Sequence, residues 1–450
     1  MSRRLQISVR ITLLVALSTL GAFAEDRYLV KVNGDVHAVA KRYGLTVVKS
    51  MGGSGSGRHV LSSKGVQPLS VLRSLSTEFA VRSAEAEKPV RLPGIKPATA
   101  VHPAGATAGS TRLSSTLVRY HETLAASAYV NQPATEVINM DRAHTLATGS
   151  GTVATIDTGV DFTHSVLRGA LTPGWDFIHN WPLGQEMADL NQETTPILDQ
   201  ETTPILDQET TPILDGGSAI ILQQETTPIL DQETTPILDG KKFPAYGHGT
   251  MVAGLIHLVA PDAKIMPLRA FGADGSATIS QIVQAIYYAV DHKVDVINMS
   301  FSVKQDSPAL REALEFAVSK GVILVASAGN DGQATQVWPA AYGTVMGVAS
   351  TNNQKIRSLF SNYGNSLVTL AAPGEGVITL YPREHYAQVW GTSFSAPMVA
   401  GAAALLVDMN KKTDEGMAVS ALSHATAIGQ ELGAGELDLY QAVLAAAKKQ

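Results

Sequence analysis

The sequence predicts an α/β fold: a doubly wound, mostly parallel sheet flanked by helices, preceded by a small α+β domain. Three observations predict it. After Tyr129, short apolar runs recur (TVATI, AKIMPLRA, VDVINMS, GVILVASA and TVMGVAS), without the polar alternation of a half-exposed strand, as strands covered on both faces require. Between and after them, residues 278–292, 308–319 and 393–407 carry apolar side chains at helical spacing. Ahead of them, residues 26–92 order as strand, helix, strand, strand, helix, strand, a split-βαβ or ferredoxin-like arrangement.

Each element has a local reason. Residues 1–24 carry Arg3, Arg4 and Arg10, then an uncharged run from Ile11, then Ala22-Phe23-Ala24, the pattern of a cleaved secretory signal. The run from Ile11 to Ala24 is shorter than the roughly 20 residues a membrane span needs, which argues against a lasting anchor. In the domain 25–92, RYLVKV, LTVVKS, RHVLSS and EFAVRSAEAE read as strands, and Asp35–Tyr43 and Pro68–Leu75 as helices. The Gly/Ser stretch Gly52–Gly57 joins the middle strands. Residues 93–127 are rich in Pro, Ala, Gly, Thr and Ser without apolar period and read as a linker, with the α/β domain at 128–450.

Residues 192–239 are six consecutive octads, five of them QETTPILD and the fourth GGSAIILQ, which keeps Ile221 and Leu222 in place. A proline every eight residues removes a backbone donor and forces extended geometry before it, so an exposed loop is expected rather than a helix or central strand. A short β-solenoid and an in-frame duplication without selected role are the other two readings of the array.

Composition narrows the function classes. At 450 residues, 45% hydrophobic and 16% charged, the chain is globular with room for a large core. The octads hold ten carboxylates and no base, so removing them turns the formal charge from -6 to +4, and neither value argues for nucleic acid. Zero cysteines excludes disulfides, thiolate metal sites and a cysteine nucleophile.

Four segments carry candidate chemistry. WGTSFSAPMVAG delivers Ser393 to a helix N-terminus, where unpaired amides favour an oxyanion. IDTGVD puts Asp157 at the end of a buried strand, GHGTMVAG puts His248 at the head of an apolar segment, and VASAGND offers the Asn330 amide as an uncharged donor. Asp157, Ser300 and Asn330 each end or follow an apolar strand, so they should meet at the carboxyl edge of the sheet. An acid, a base and a hydroxyl together permit acyl transfer, with His248 taking the Ser393 proton and Asp157 holding the imidazole.

Those segments, with VINMS, resemble the subtilisin-like serine peptidases, or subtilases, and the resemblance extends from Asp26 to the C-terminus. It implies a secreted endopeptidase with Asp157, His248 and Ser393 as the triad, Asn330 as oxyanion donor and Ser300-Phe301-Ser302 as the strand that pairs with an extended polypeptide substrate. It implies that residues 25–92 are a propeptide that inhibits its own catalytic domain and is removed by self-cleavage. It further implies a monomer that needs no cofactor or metal for catalysis. Structural calcium is possible but unsupported, because only LIHL, 255–258, separates VAG from VAPDA, too short for the calcium loop that many secreted relatives insert there. Met251 and Met398 stand where many relatives have histidine, and Ser302 replaces a usual glycine and should crowd a subsite. Two rivals remain: a binding protein on an inactive subtilase fold, and a surface adhesin whose octads are the working part.

Overall fold

The computed structural model describes residues 26–55, 57–63, 68–92, 116–186, 220–222 and 243–448, with Pro68, Leu69 and 220–222 as backbone only. The expected signal segment, residues 93–115 of the expected linker and all but three residues of the octads lie outside the described residues.

The N-terminal module forms as its pattern requires. Strands β1 (Asp26–Val32), β2 (Leu45–Ser50), β3 (Arg58–Ser63) and β4 (Val81–Ala86) make an antiparallel sheet ordered β2-β3-β1-β4. Helices Val36–Arg42, capped by Asp35 accepting from the His37 amide, and Pro68–Thr77 accompany it. Tyr28, Val30, Val32 and Leu61 face those helices, while Leu29, Met51 and Val60 on the other face join the core of the large domain. Strand β1 therefore lacks polar alternation because both faces of this sheet are covered.

The contact between the two bodies is polar at its rim. Arg58 is 1% exposed, reaches the Tyr287 hydroxyl at 3.3 Å and pairs with Glu312, which also meets Lys31. Glu85 accepts from the Ser307 hydroxyl and the Ala309 amide, both at 3.0 Å, at the start of helix Pro308–Ser319. Glu87 accepts from the Ser280 amide at 2.8 Å, at the start of helix Ile279–Asp291. Each carboxylate thus satisfies amides that a helix cannot pair internally and lies at the positive end of its dipole.

The large domain has an eight-stranded sheet. Its strands are β8 (Thr152–Asp157), β9 (Trp175–Asp176), β10 (Trp181–Pro182), β12 (Lys264–Arg269), β14 (Val296–Met299), β15 (Ile323–Ser327), β16 (Met346–Thr351) and β17 (Leu370–Pro373), in the order β10-β9-β12-β8-β14-β15-β16-β17. Every neighbouring pair is parallel except β10 on β9. Alternate side chains of single strands divide between two cores: Val153, Val296 and Val325 on one face, Ala154, Ile297 and Leu324 on the other. The first face packs helices His248–Val259 and Thr392–Met409, the second Ile279–Asp291 and Pro308–Ser319. The chain passes from β8 to β12 on one side and to β14 on the other, so its order reverses around β8, which ends at Asp157.

Two expectations are corrected. The linker expected through residue 127 ends sooner, because strands β6 (Leu117–Tyr120) and β7 (Thr123–Ala126) form a hairpin on the large domain. The Tyr120 hydroxyl bonds the Leu258 carbonyl, and the Ala126 amide donates to the Tyr386 hydroxyl at 2.9 Å, so these residues belong to its core. Within the octads, Ile220–Leu222 is not loop but a strand, β11, parallel to β19 (His385–Trp390), which itself pairs with β18 (Glu375–Tyr381). The fourth octad is the one without proline, so it alone keeps every backbone donor a ladder needs.

Candidate active site

Asp157 is the last residue of a fully buried strand end and is itself 0% exposed. Its Oδ1 accepts from the Thr158 amide at 2.7 Å and lies 2.8 Å from His248 Nδ1. An ionised carboxylate accepts only, so this contact places the proton on Nδ1 and leaves Nε2 as the basic atom. His248 opens its helix from Gly247, whose φ of +90° and 2.4 Å separation between an added Cβ and the Tyr381 ring restrict that position to glycine. The imidazole rests against Phe394, ring centroids 5.5 Å apart, beside the serine.

Ser393 lies in the first turn of helix Thr392–Met409 and is 0% exposed. Pro397 is four residues further on and has no amide, so the Ser393 carbonyl lacks its usual helical donor. The Ser300 hydroxyl supplies one at 2.8 Å, and Ser300 Oγ in turn accepts from Asn298 Nδ2 at 2.9 Å. The Ser393 hydroxyl donates to the Ser300 carbonyl at 3.2 Å. Asn330 Oδ1 accepts from the Thr392 amide at 2.9 Å and its hydroxyl at 2.8 Å, which fixes the oxygen end of the Asn330 amide on the residue preceding Ser393. The carboxyl ends of β8, β14 and β15 and the heads of two helices therefore bring Asp157, His248, Ser300, Asn330 and Ser393 together.

The Ser300-Phe301-Ser302 segment divides its roles. Phe301 is buried against Phe271, centroids 5.2 Å apart, so its side chain serves the core. Ser302 bridges antiparallel to Arg91. On the opposite side, β5 (Pro89–Arg91) pairs antiparallel with β13 (Ser276–Thr278), and the Leu92 amide donates to the Gly275 carbonyl at 2.9 Å. Residues 89–91 thus pair with strand β13 on one side and, through the single bridge of Arg91 to Ser302, touch the Ser300–Ser302 segment on the other, with Val90 and Leu92 buried. The sequence reading missed Ser276–Thr278, whose three residues are too few for a period. It also missed Glu186, which is 1% exposed and bonded to both sides of the Asp157–His248 pair.

Comparison with known proteins identifies the family. Residues 149–441 match the Subtilase family. The chain is 32% identical over 263 residues to the thermophilic serine proteinase of Bacillus sp. (strain AK1), an alignment covering 58% of this chain and 53% of that protein. It is 29% identical over 319 residues to thermitase of Thermoactinomyces vulgaris, covering 68% of this chain and 93% of that protein. Among solved structures, fervidolysin from Fervidobacterium pennivorans superposes with a TM-score of 0.66 at 21% identity, over 94% of this chain and 61% of that one, a likeness of fold. A protease from Pseudoalteromonas arctica PAMC 21717 superposes with a TM-score of 0.53 at 27% identity, over 69% and 94% of the two chains. The match thus spans about half of the Bacillus proteinase and nearly all of thermitase. With its match covering well over half of the sequence, the chain belongs to the subtilase family.

Proposed function

We propose that the protein is an exported serine endopeptidase, made as a self-processing proenzyme, in which Asp157, His248 and Ser393 act as the catalytic triad. The observation that carries this reading is the 2.8 Å contact of Asp157 with His248 Nδ1 beside a serine in the first turn of a buried helix. In the reaction Ser393 turns its hydroxyl from the Ser300 carbonyl to His248 Nε2, which takes the proton as Oγ attacks the substrate carbonyl. The protonated imidazole, held by Asp157, then gives that proton to the leaving amine. Water, deprotonated by the same imidazole, releases the acyl group. Asn330 and the amides at the start of the Ser393 helix stabilise the oxyanion. All of these groups are side chains or backbone of this chain, and no step needs a cofactor.

The antiparallel lie of residues 89–92 between Ser276–Thr278 and Ser302 supports the proenzyme reading, because an extended substrate would use the same backbone groups. The inhibitory role of 25–92 and the export of the chain belong to the same proposal. The test is hydrolysis of short peptides and labelling by a fluorophosphonate, both expected of the matured protein and both lost in Ser393→Ala. Absence of both from the folded, matured wild type would overturn the enzyme reading in favour of an inactive binding protein.

A further inference from the structure

Glu186 is a fully buried carboxylate to which the triad chemistry assigns nothing. It lies in the segment beside Val160: its amide donates to the Val160 carbonyl at 3.2 Å, and the Val160 amide donates to the Gly184 carbonyl at 2.8 Å. Gly159 permits this approach, since a Cβ there would fall 2.8 Å from the Glu186 amide. Glu186 Oε1 accepts from the Thr158 hydroxyl at 2.5 Å and from the Gly247 amide at 2.7 Å. Oε2 accepts from the Thr250 amide at 3.1 Å and from the Thr250 hydroxyl. Thr158 Oγ1 in turn accepts from the Gly249 amide at 2.9 Å.

Thr158 directly follows Asp157, and Gly247 directly precedes His248. One carboxylate therefore grips the peptide neighbours of both the acid and the base. Gly247, the N-cap of the His248 helix, has no side chain to cap it, so Glu186 satisfies that helix's first amides from another segment. Burying an anion is costly, and a plain cap could be supplied by a local serine or aspartate at far less desolvation. The geometry that a local cap cannot supply is the bridge to Thr158.

We propose that Glu186 is a positioning residue for the reaction, its carboxylate fixing the Asp157 strand end against the head of the His248 helix so that the acid–base pair keeps its spacing. This rests on the peptidase reading above. The four donated bonds favour the ionised form, while burial, with Asp157 adding to it, pushes the carboxyl up to about 7. Displacements of the order of 1 Å in such a constellation cost up to about a hundredfold in rate.

The experiment compares wild type, Ser393→Ala, Glu186→Gln and Thr158→Val, each full chain matured in trans by tagged wild-type protein that is then removed. The values of kcat and KM on a short peptide are measured below each variant's unfolding transition. Glu186→Gln keeps the shape but turns an NH₂ toward donors, and kcat is expected to fall about tenfold to a hundredfold with KM within about threefold. A residue that only caps the helix would lower the melting temperature and leave kcat of the folded enzyme unchanged. Folded Glu186→Gln with kcat within about twofold of a Ser393-dependent wild type overturns the proposal. Should Glu186→Gln not fold, Thr158→Val cuts the bridge and the Gly249 amide bond while leaving the Glu186 bonds to the Gly247 and Thr250 amides in place. It should lower kcat at least about threefold, and an unchanged kcat overturns the proposal equally. Wild-type hydrolysis that survives Ser393→Ala would instead refute the peptidase reading itself.

Discussion

Ser300 and Ser393 hold each other by reciprocal bonds: the Ser300 hydroxyl donates to the Ser393 carbonyl at 2.8 Å, and the Ser393 hydroxyl donates to the Ser300 carbonyl at 3.2 Å. The first bond exists because Pro397 brings no amide to that carbonyl. Ser300→Ala should leave the carbonyl buried and unpaired, at a cost of about 1–3 kcal/mol in thermal unfolding. Adding Pro397→Ala restores a donor, so the double variant should unfold at a higher temperature than Ser300→Ala alone. Equal melting temperatures for the two would show that the hydroxyl does not substitute for the missing amide.

Asn330 is held through its oxygen by Thr392, and the proposed role of its amide nitrogen is to donate to the oxyanion. Asn330→Leu removes that donor at similar size, and kcat should fall about 10²–10³-fold with KM little changed, a magnitude carried over from subtilisin itself. Steady-state kinetics on a short peptide decide it, and a loss confined to KM would assign Asn330 to ground-state binding instead.

Glu436 should make stability depend on pH. It is 0% exposed and accepts from the Thr351 hydroxyl at 2.9 Å, and burial pushes its carboxyl up to about 7. A carboxyl raised in the folded state favours folding fully below its unfolded value, near 4.5, and that contribution is lost as pH rises through about 7. Glu436→Gln does not titrate, so the stability of the variant relative to wild type should increase between pH 5 and 8, by up to roughly 3 kcal/mol. Melting curves of both proteins across that range would show it, and a difference independent of pH would mean that Glu436 stays ionised when buried.

The N-terminal module should depend on Ser393 for its removal. Ser393→Ala is expected to accumulate as an unprocessed chain from about Glu25 onward in a host without other proteases. In the otherwise active protein, Arg58→Ala removes the buried arm that reaches Tyr287 and Glu312 and should loosen the module, shortening the lag before activity appears. Normal maturation of Ser393→Ala would assign the cleavage to a second protease.

The parallel strands were legible because covering both faces leaves uninterrupted apolar runs, as in β8, β14 and β15. Asp157, His248, Asn330 and Ser393 were legible because each sits where a strand or helix ends amid small residues. The β6–β7 hairpin was not: Leu117 and Leu124 are exposed, so its short strands merge with the Ala- and Thr-rich stretch before them. Glu186 was hidden for another reason. Its partners lie 28 residues before it and, across the octads, 61 and 64 residues after it, and no local period marks a carboxylate whose role is set by long-range bonds.

The octads should be dispensable for catalysis, and the Glu186 contacts say why. The Gly247 amide lies 2.7 Å from Glu186 Oε1, so the chain leaves and re-enters the large domain at adjoining points. Deleting 192–239 leaves 187–191 and 240–242 to join Glu186 to Phe243, which are already tied to the fold. Shortening this excursion about sevenfold lowers its closure cost by about 1.7 kcal/mol. Against that stands the loss of β11, three residues on one edge of β19, whose other edge remains paired with β18. The deletion variant should therefore fold, with kcat/KM on short peptides within about threefold of wild type, or roughly 0.6 kcal/mol in the barrier. Large acidic substrates should be cleaved faster at low salt, because ten carboxylates have been removed from a segment anchored beside the site. A deletion variant that cannot fold, or that loses short-peptide hydrolysis, would mean that the array is a packed part of the domain and that β11 is a necessary strand of its sheet.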